Sequence, residues 1–108
     1  MPVTEYIYLL SPAQRDRLRV HFVRERNAII QFVVQYEAEI DGQWHPVVRY
    51  DTAHGFAHRD LLHPGGRADK QWLPWMAFSV AMTYATQELK TEWRRYRRAF
   101  EEEMHHDA

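Results

Sequence analysis

Residues 29–40 constrain the fold more than any other stretch. Ile30, Phe32, Val34, Tyr36, Ala38 and Ile40 take every second position and are all apolar, whereas Gln31, Gln35, Glu37 and Glu39 lie between them. Side chains alternate across an extended chain, so the pattern defines a long strand with one face to bury and one to hydrate. An apolar strand face needs a second layer, and the chain supplies one. After Pro74 no proline or glycine occurs up to Met104, while Trp75, Phe78, Met82, Ala85, Leu89, Trp93, Tyr96 and Phe100 recur at steps of three and four. That spacing predicts one long amphipathic helix over residues 74–104.

The rest of the sheet follows from shorter alternations. Leu18, Val20 and Phe22 interleave with Arg17, Arg19 and His21, Asn27-Ala28 marks a break, and Asp41-Gly42 signals a reversal. A two-residue Asp41-Gly42 loop would put Trp44 and Tyr50 on the wrong face, so a three-residue loop, Ile40-Asp41-Gly42, is expected. It would set Ala38 opposite Trp44, Val34 opposite Val48 and Phe32 opposite Tyr50. A fourth strand over 57–62 ends at Pro64-Gly65-Gly66, and Ser11-Pro12-Ala13-Gln14 has the spacing of a capping box opening a short helical turn. The expectation is one α+β domain over residues 1–108. It comprises an N-terminal segment (1–16), a four-stranded antiparallel meander (17–63) and a C-terminal helix (74–104).

Composition narrows the function classes. The absence of cysteine removes thiolate nucleophiles, disulfides and cysteine metal sites together, and a formal net charge of -1 gives no overall field towards nucleic acid. No apolar run has membrane-span length, and residues 1–6 lack a basic-then-apolar leader, so no membrane association and a cytoplasmic location are expected.

Chemistry is concentrated between Arg49 and His63, which contain His54, His58, His63, Asp51, Asp60 and Arg59. Cleavage of an RNA phosphodiester needs a group to take the 2'-hydroxyl proton, one to protonate the leaving oxygen, and a cation for the phosphorane charge. His54 and His58 are the acid/base candidates, Asp51 and Asp60 would orient them, and Arg49, Arg59 or Lys70 would hold phosphate. Asp51, His54, His58, Asp60 and His63 could instead ligate a metal, but no ligand-spacing signature is present, so the expected chemistry uses neither metal nor cofactor. The bland alternative is a structural turn, with His54 before Gly55 and Asp51-Thr52 closing it, in a non-enzymatic interaction or regulatory module.

Arg49-Tyr50-Asp51-Thr52-Ala53-His54-Gly55-Phe56-Ala57-His58-Arg59-Asp60 resembles the central motif of a group of small prokaryotic proteins of unknown function. More distantly it resembles the TumE-type toxins of toxin-antitoxin pairs, through Arg49, Tyr50, Asp51 and Ala53. Thr52 stands where those toxins carry asparagine, His54 where they carry proline, and the second histidine is displaced to His58. The resemblance covers residues 17–63 and implies a cytoplasmic toxin acting on RNA or translation, with an antitoxin protein as partner.

The helix end carries Arg94, Arg95, Arg97 and Arg98, then Glu101, Glu102 and Glu103. Carboxylates at a helix C-terminus oppose its dipole, and arginine four residues before glutamate is the weaker order for pairing. A homodimer through this helix is therefore expected, with Trp93, Tyr96 and Phe100 meeting a second copy running antiparallel.

Overall fold

The computed structural model describes residues 2–106. Six strands precede one helix: β1 (Val3–Leu9), β2 (Asp16–Glu25), β3 (Ala28–Ile40), β4 (Gln43–Asp51), β5 (His58–Leu62), β6 (Ala68–Trp72) and α1 (Phe78–His106). The strands form a single antiparallel sheet in the order β1-β2-β3-β4-β5-β6, each paired with its neighbour in sequence. The α+β meander with a long C-terminal helix thus stands, with two further strands. Among the described residues there is no N-terminal helical turn; Pro12 and Ala13 instead lie in the β1–β2 hairpin, where Gln14 N–H donates to Ser11 O and Arg15 N–H to Ser11 Oγ. The capping-box spacing fits a side-chain-closed turn equally well.

Packing follows the alternation. Phe32, Val34, Tyr36, Ala38 and Ile40 of β3 are buried with Leu18 and Val20 of β2 and Val48 and Tyr50 of β4, and α1 covers this face through Ala81, Ala85, Leu89, Trp93, Tyr96 and Phe100. Small alanines let the first half of the helix approach the sheet, and aromatic rings fill the wider second half, where Tyr36 and Trp93 have ring centroids 6.2 Å apart. The helix starts four residues later than its apolar period suggests. Leu73 is buried and its N–H is held by Ala57 O at 2.8 Å, so residues 74–76 must turn before the helix can begin, leaving Trp75 exposed.

The three-residue loop and its register are overturned. Asp41 (φ 53°) and Gly42 (φ 80°) form a two-residue hairpin turn with Ile40 opposite Gln43, the left-handed pair a tight hairpin requires. The face conflict is resolved further along. A bulge at Val47 shifts the register, so Glu37 faces Pro46, whereas Tyr36 faces Val48 and Val34 faces Tyr50. Val48 and Tyr50 thereby reach the core, while Trp44 stays on the far face with the Arg17 guanidinium 3.7 Å above its ring.

The helix end is satisfied within one chain. Arg97 donates to Asp16 Oδ1 at 2.8 Å, to the carbonyls of Glu39 (2.8 Å) and Arg15 (3.2 Å), and to Glu101 Oε1 at 2.9 Å. Asp16 is itself buried and accepts the Tyr36 hydroxyl at 2.6 Å, and burial with this bond pushes the Tyr36 pKa up. Trp93, Tyr96 and Phe100 are buried against their own sheet, so the aromatic stripe expected to meet a second copy is already covered. Among the described residues no helix is long and apolar enough to cross a membrane.

Candidate functional site

The face away from α1 carries most of the ionisable side chains of β2 to β5, and the ladder registers sort them into rows. One row crosses the sheet as Arg19, Gln35, Arg49, Asp60 and Lys70, and the next as Glu5, His21, Val33, Asp51, His58 and Trp72. Opposed residues on neighbouring strands lie side by side, so each row is a chain of potential contacts.

Where the rows cross β4, β5 and β6 the sequence-derived residues converge. His58, 1% exposed, has Nε2 2.9 Å from Asp51 Oδ1 and 3.4 Å from Asp60 Oδ2, and its Nδ1 lies 3.3 Å from the Phe56 carbonyl. Both ring nitrogens therefore lie close to oxygen atoms of the chain itself. Asp51 Oδ1 also accepts Ala53 N–H at 2.9 Å, and Asp60 Oδ1 accepts Lys70 Nζ at 2.9 Å. Two carboxylates, one lysine and one imidazole thus form a compact cluster, and buried ionisable groups are tolerated where they are paired in this way.

The strand-to-strand loop after Asp51 sets this geometry. Thr52 Oγ1 accepts Phe32 N–H at 3.1 Å, its carbonyl accepts Gly55 N–H, and Gly55 has φ 85°. The tight loop lifts exposed His54 above the cluster, its ring centroid 5.9 Å from that of His58 and 6.1 Å from Trp72, while Trp72 lies 5.3 Å from His58. Half-exposed Trp72 flanks the same spot. On the β3 side a hollow of about 240 Å³, lined by His21, Gln31, Val33, Thr52 and Ala53 among others, reaches Asp51.

Asp51, His58, Asp60, Lys70 and, at the rim, His54 are thus brought together. Arg49 shares the face, but its Nε donates to Gln35 Oε1 at 2.7 Å. Arg59 does not share it: strand alternation sends it under α1, where Nη1 donates to the Tyr96 hydroxyl at 2.7 Å. His63 is also elsewhere, between Asp69 (2.7 Å) and Glu103 (2.8 Å), and these bonds, Asp69 foremost, raise its pKa above the ordinary histidine value. As for metal ligation, ligand atoms of Asp51, His58 and Asp60 lie within 4.8 Å of one another, and Nδ1 on a backbone carbonyl is the usual support for a ligating imidazole. His54 and His63 are outside that set.

Two networks have no counterpart in the sequence reading. On the open face Glu37 accepts Arg17 Nε (2.7 Å), Arg19 Nε (3.1 Å) and Gln35 Nε2 (2.6 Å). Burial pushes the Glu37 carboxyl up, but the bonds from Arg19, Arg17 and Gln35 outweigh it and hold it below the usual range. Under the helix Glu88 Oε1 accepts the Tyr50 and Tyr96 hydroxyls, each at 2.8 Å. Alternation of Arg17, Arg19, Gln35 and Glu37 on one face was legible beforehand; which groups meet depended on register.

Fold and site define a class: a single antiparallel sheet, one face sealed by a helix and the other carrying a buried His/Asp/Asp/Lys cluster beneath exposed aromatic and imidazole side chains. The family model described as Domain of unknown function (DUF7718) matches residues 1–106, and the chain belongs to that family. No curated protein and no solved structure matches it.

Proposed function

We propose that the chain is a toxin-like protein, cytoplasmic and prokaryotic, that acts on RNA by metal-independent acid/base chemistry above the Asp51-His58-Asp60 cluster. The observation that carries this reading is the contrast between two neighbouring imidazoles: His58 is sealed between carboxylates, and His54 lies beside it in solvent. A buried cluster of ionisable groups is costly to hold, and such clusters concentrate at functional sites.

The roles divide by exposure. His54 exchanges protons with substrate: it takes the 2'-hydroxyl proton as the 2'-oxygen attacks phosphorus, and the departing 5'-oxygen is protonated from solvent, giving a 2',3'-cyclic phosphate and a 5'-hydroxyl. His58 is a positioning residue, held by Asp51 and Asp60. Lys70 and Arg49, on the same face, are the cations nearest to hand for phosphate, whereas Arg59 is on the far side of the sheet. Half-exposed Trp72 offers a flat ring for an unpaired base, a contact that tolerates any sequence. An antitoxin protein would be expected to cover this rim.

The test is induction of the chain in a bacterial host with and without His54→Ala or Trp72→Ala. Growth arrest that both variants abolish, with cleaved RNA bearing cyclic phosphate ends in the presence of a chelator, is the expected result. Harmless expression and intact RNA with the purified protein would reject it. That outcome would favour an interaction module in which the same cluster braces a turn, a reading supported by the engagement of both His58 nitrogens within the chain.

A further inference from the structure

The two edges of the sheet are built differently. β6 is short, Ala68–Trp72, and carries Asp69 and Lys70, the charged and abbreviated edge that resists pairing with another strand. β1 has none of these protections. Across Val3–Leu9 its one charge is Glu5, which is tied to His21 Nδ1 at 2.8 Å, and it contains no proline, lysine or bulge. Val3, Ile7 and Leu9 on the open face and Tyr6 and Tyr8 on the helix face are 44–54% exposed. A long, flat, apolar edge with free main-chain groups is a template for another strand.

The hydrogen-bond phase of that edge is fixed. Leu10 N–H donates to Asp16 O and Arg24 N–H to Pro2 O, so the even-numbered residues of this segment direct their main-chain groups to β2. Antiparallel ladders alternate, so Val3, Glu5, Ile7 and Leu9 direct theirs outward.

We infer that β1 pairs with β1 of a second copy of this chain, antiparallel about a two-fold axis at Tyr6, giving a continuous twelve-stranded sheet across the dimer. The sequence is self-complementary in this register. Val3 faces the partner copy's leucine at position 9, Glu5 faces isoleucine at position 7, Thr4 faces tyrosine at position 8, and Tyr6 faces its own symmetry mate. Every pair joins residues of like parity, so Val3 meets leucine on the open face, Tyr6 meets tyrosine on the helix face, and both helices lie on the same side. The outward pairs are the hydrogen-bonded ones, up to about eight main-chain bonds, while the two Tyr6 residues form the closer, non-hydrogen-bonded pair. A shift by two residues in either direction shortens the overlap, and a shift by one sets the helix face of one copy against the open face of the other.

Covering the five half-exposed apolar side chains of each copy removes at most roughly 1,000 Å² in total, at the lower bound for a specific interface, so the expected dimer is a weak one that forms in the micromolar range or above. Sedimentation velocity should show monomer giving way to dimer as concentration rises through that range. In parallel, amide exchange at Val3, Glu5, Ile7 and Leu9 should slow with concentration, while Thr4, Tyr6 and Tyr8 stay protected throughout by β2. Ile7→Pro removes an outward N–H that β2 does not use, and Ile7→Glu sets a like charge directly opposite Glu5 of the second copy. Each should weaken dimerisation at least tenfold with unchanged circular dichroism, and Ile7→Glu serves if the proline variant does not fold. The inference fails if the protein stays monomeric at several hundred micromolar with the odd-numbered amides exchanging freely. It also fails if a dimer persists in a folded Ile7 variant.

Discussion

Replacing Arg97 by methionine tests the account of the helix end most directly. The guanidinium is 18% exposed and its partner Asp16 5%, and it holds Asp16, two main-chain carbonyls and Glu101. A methionine side chain there would fill much the same volume without those bonds and would leave the Asp16 carboxylate buried with the Tyr36 hydroxyl as its remaining donor. Removing one partner of a buried pair costs about 3–5 kcal/mol, and partial exposure here lowers the expectation to roughly 2–4 kcal/mol. At about 2 kcal/mol per molar of urea, the middle of the usual range, the unfolding midpoint should fall by about 1–2 M. The double variant Asp16→Asn with Arg97→Met should recover a substantial part of the loss, because no buried charge is then left without a counter-ion. The loss should also be independent of protein concentration, since every partner of Arg97 belongs to its own chain. Strict additivity of the two changes, or a cost below about 0.5 kcal/mol, would refute the reasoning.

Three further outcomes can be checked by the same denaturation assay. His63 has a raised pKa in the folded protein, so its bonds to Asp69 and Glu103 stabilise fully below the unfolded value of about 6.5 and are lost as pH climbs through the folded value; the gap between wild type and His63→Gln should shrink accordingly from pH 6 to pH 9. Glu37 shifts the other way, its stabilisation being present above the ordinary carboxylate range and lost as pH falls through its lowered value, so Glu37→Gln should narrow its deficit in acid. Leu89→Ala, at a fully buried position in mid-helix, should cost roughly 2–5 kcal/mol by loss of contacts and a residual cavity.

The chain's own pattern settled its central layer and its cover. Alternation across Phe32 to Ile40 and the three-four spacing from Phe78 to Phe100 are each imposed by burial of one face, so they are written in the sequence and agree with the buried residues found. The two edge strands escaped for the converse reason. Every residue of β1 and β6 is exposed, so neither face imposes a period; Val3–Leu9 shows no polar-apolar alternation, and Ala68–Trp72 is mostly polar.

At the site, the segment 49–63 was legible as a concentration of ionisable groups, and strand periodicity sets His58 and Asp60 on one face. The same periodicity excludes Arg59, whose residue type alone had suggested a phosphate contact. Side-chain chemistry and local period are properties of a short stretch of chain, and the sequence determined them. Which strands stand side by side, where the Val47 bulge moves the ladder, and hence that Asp51 meets His58 while Asp60 meets Lys70, depend on contacts between residues far apart in sequence. Those contacts exist only once the whole sheet has closed against its helix, so tertiary structure alone decided them.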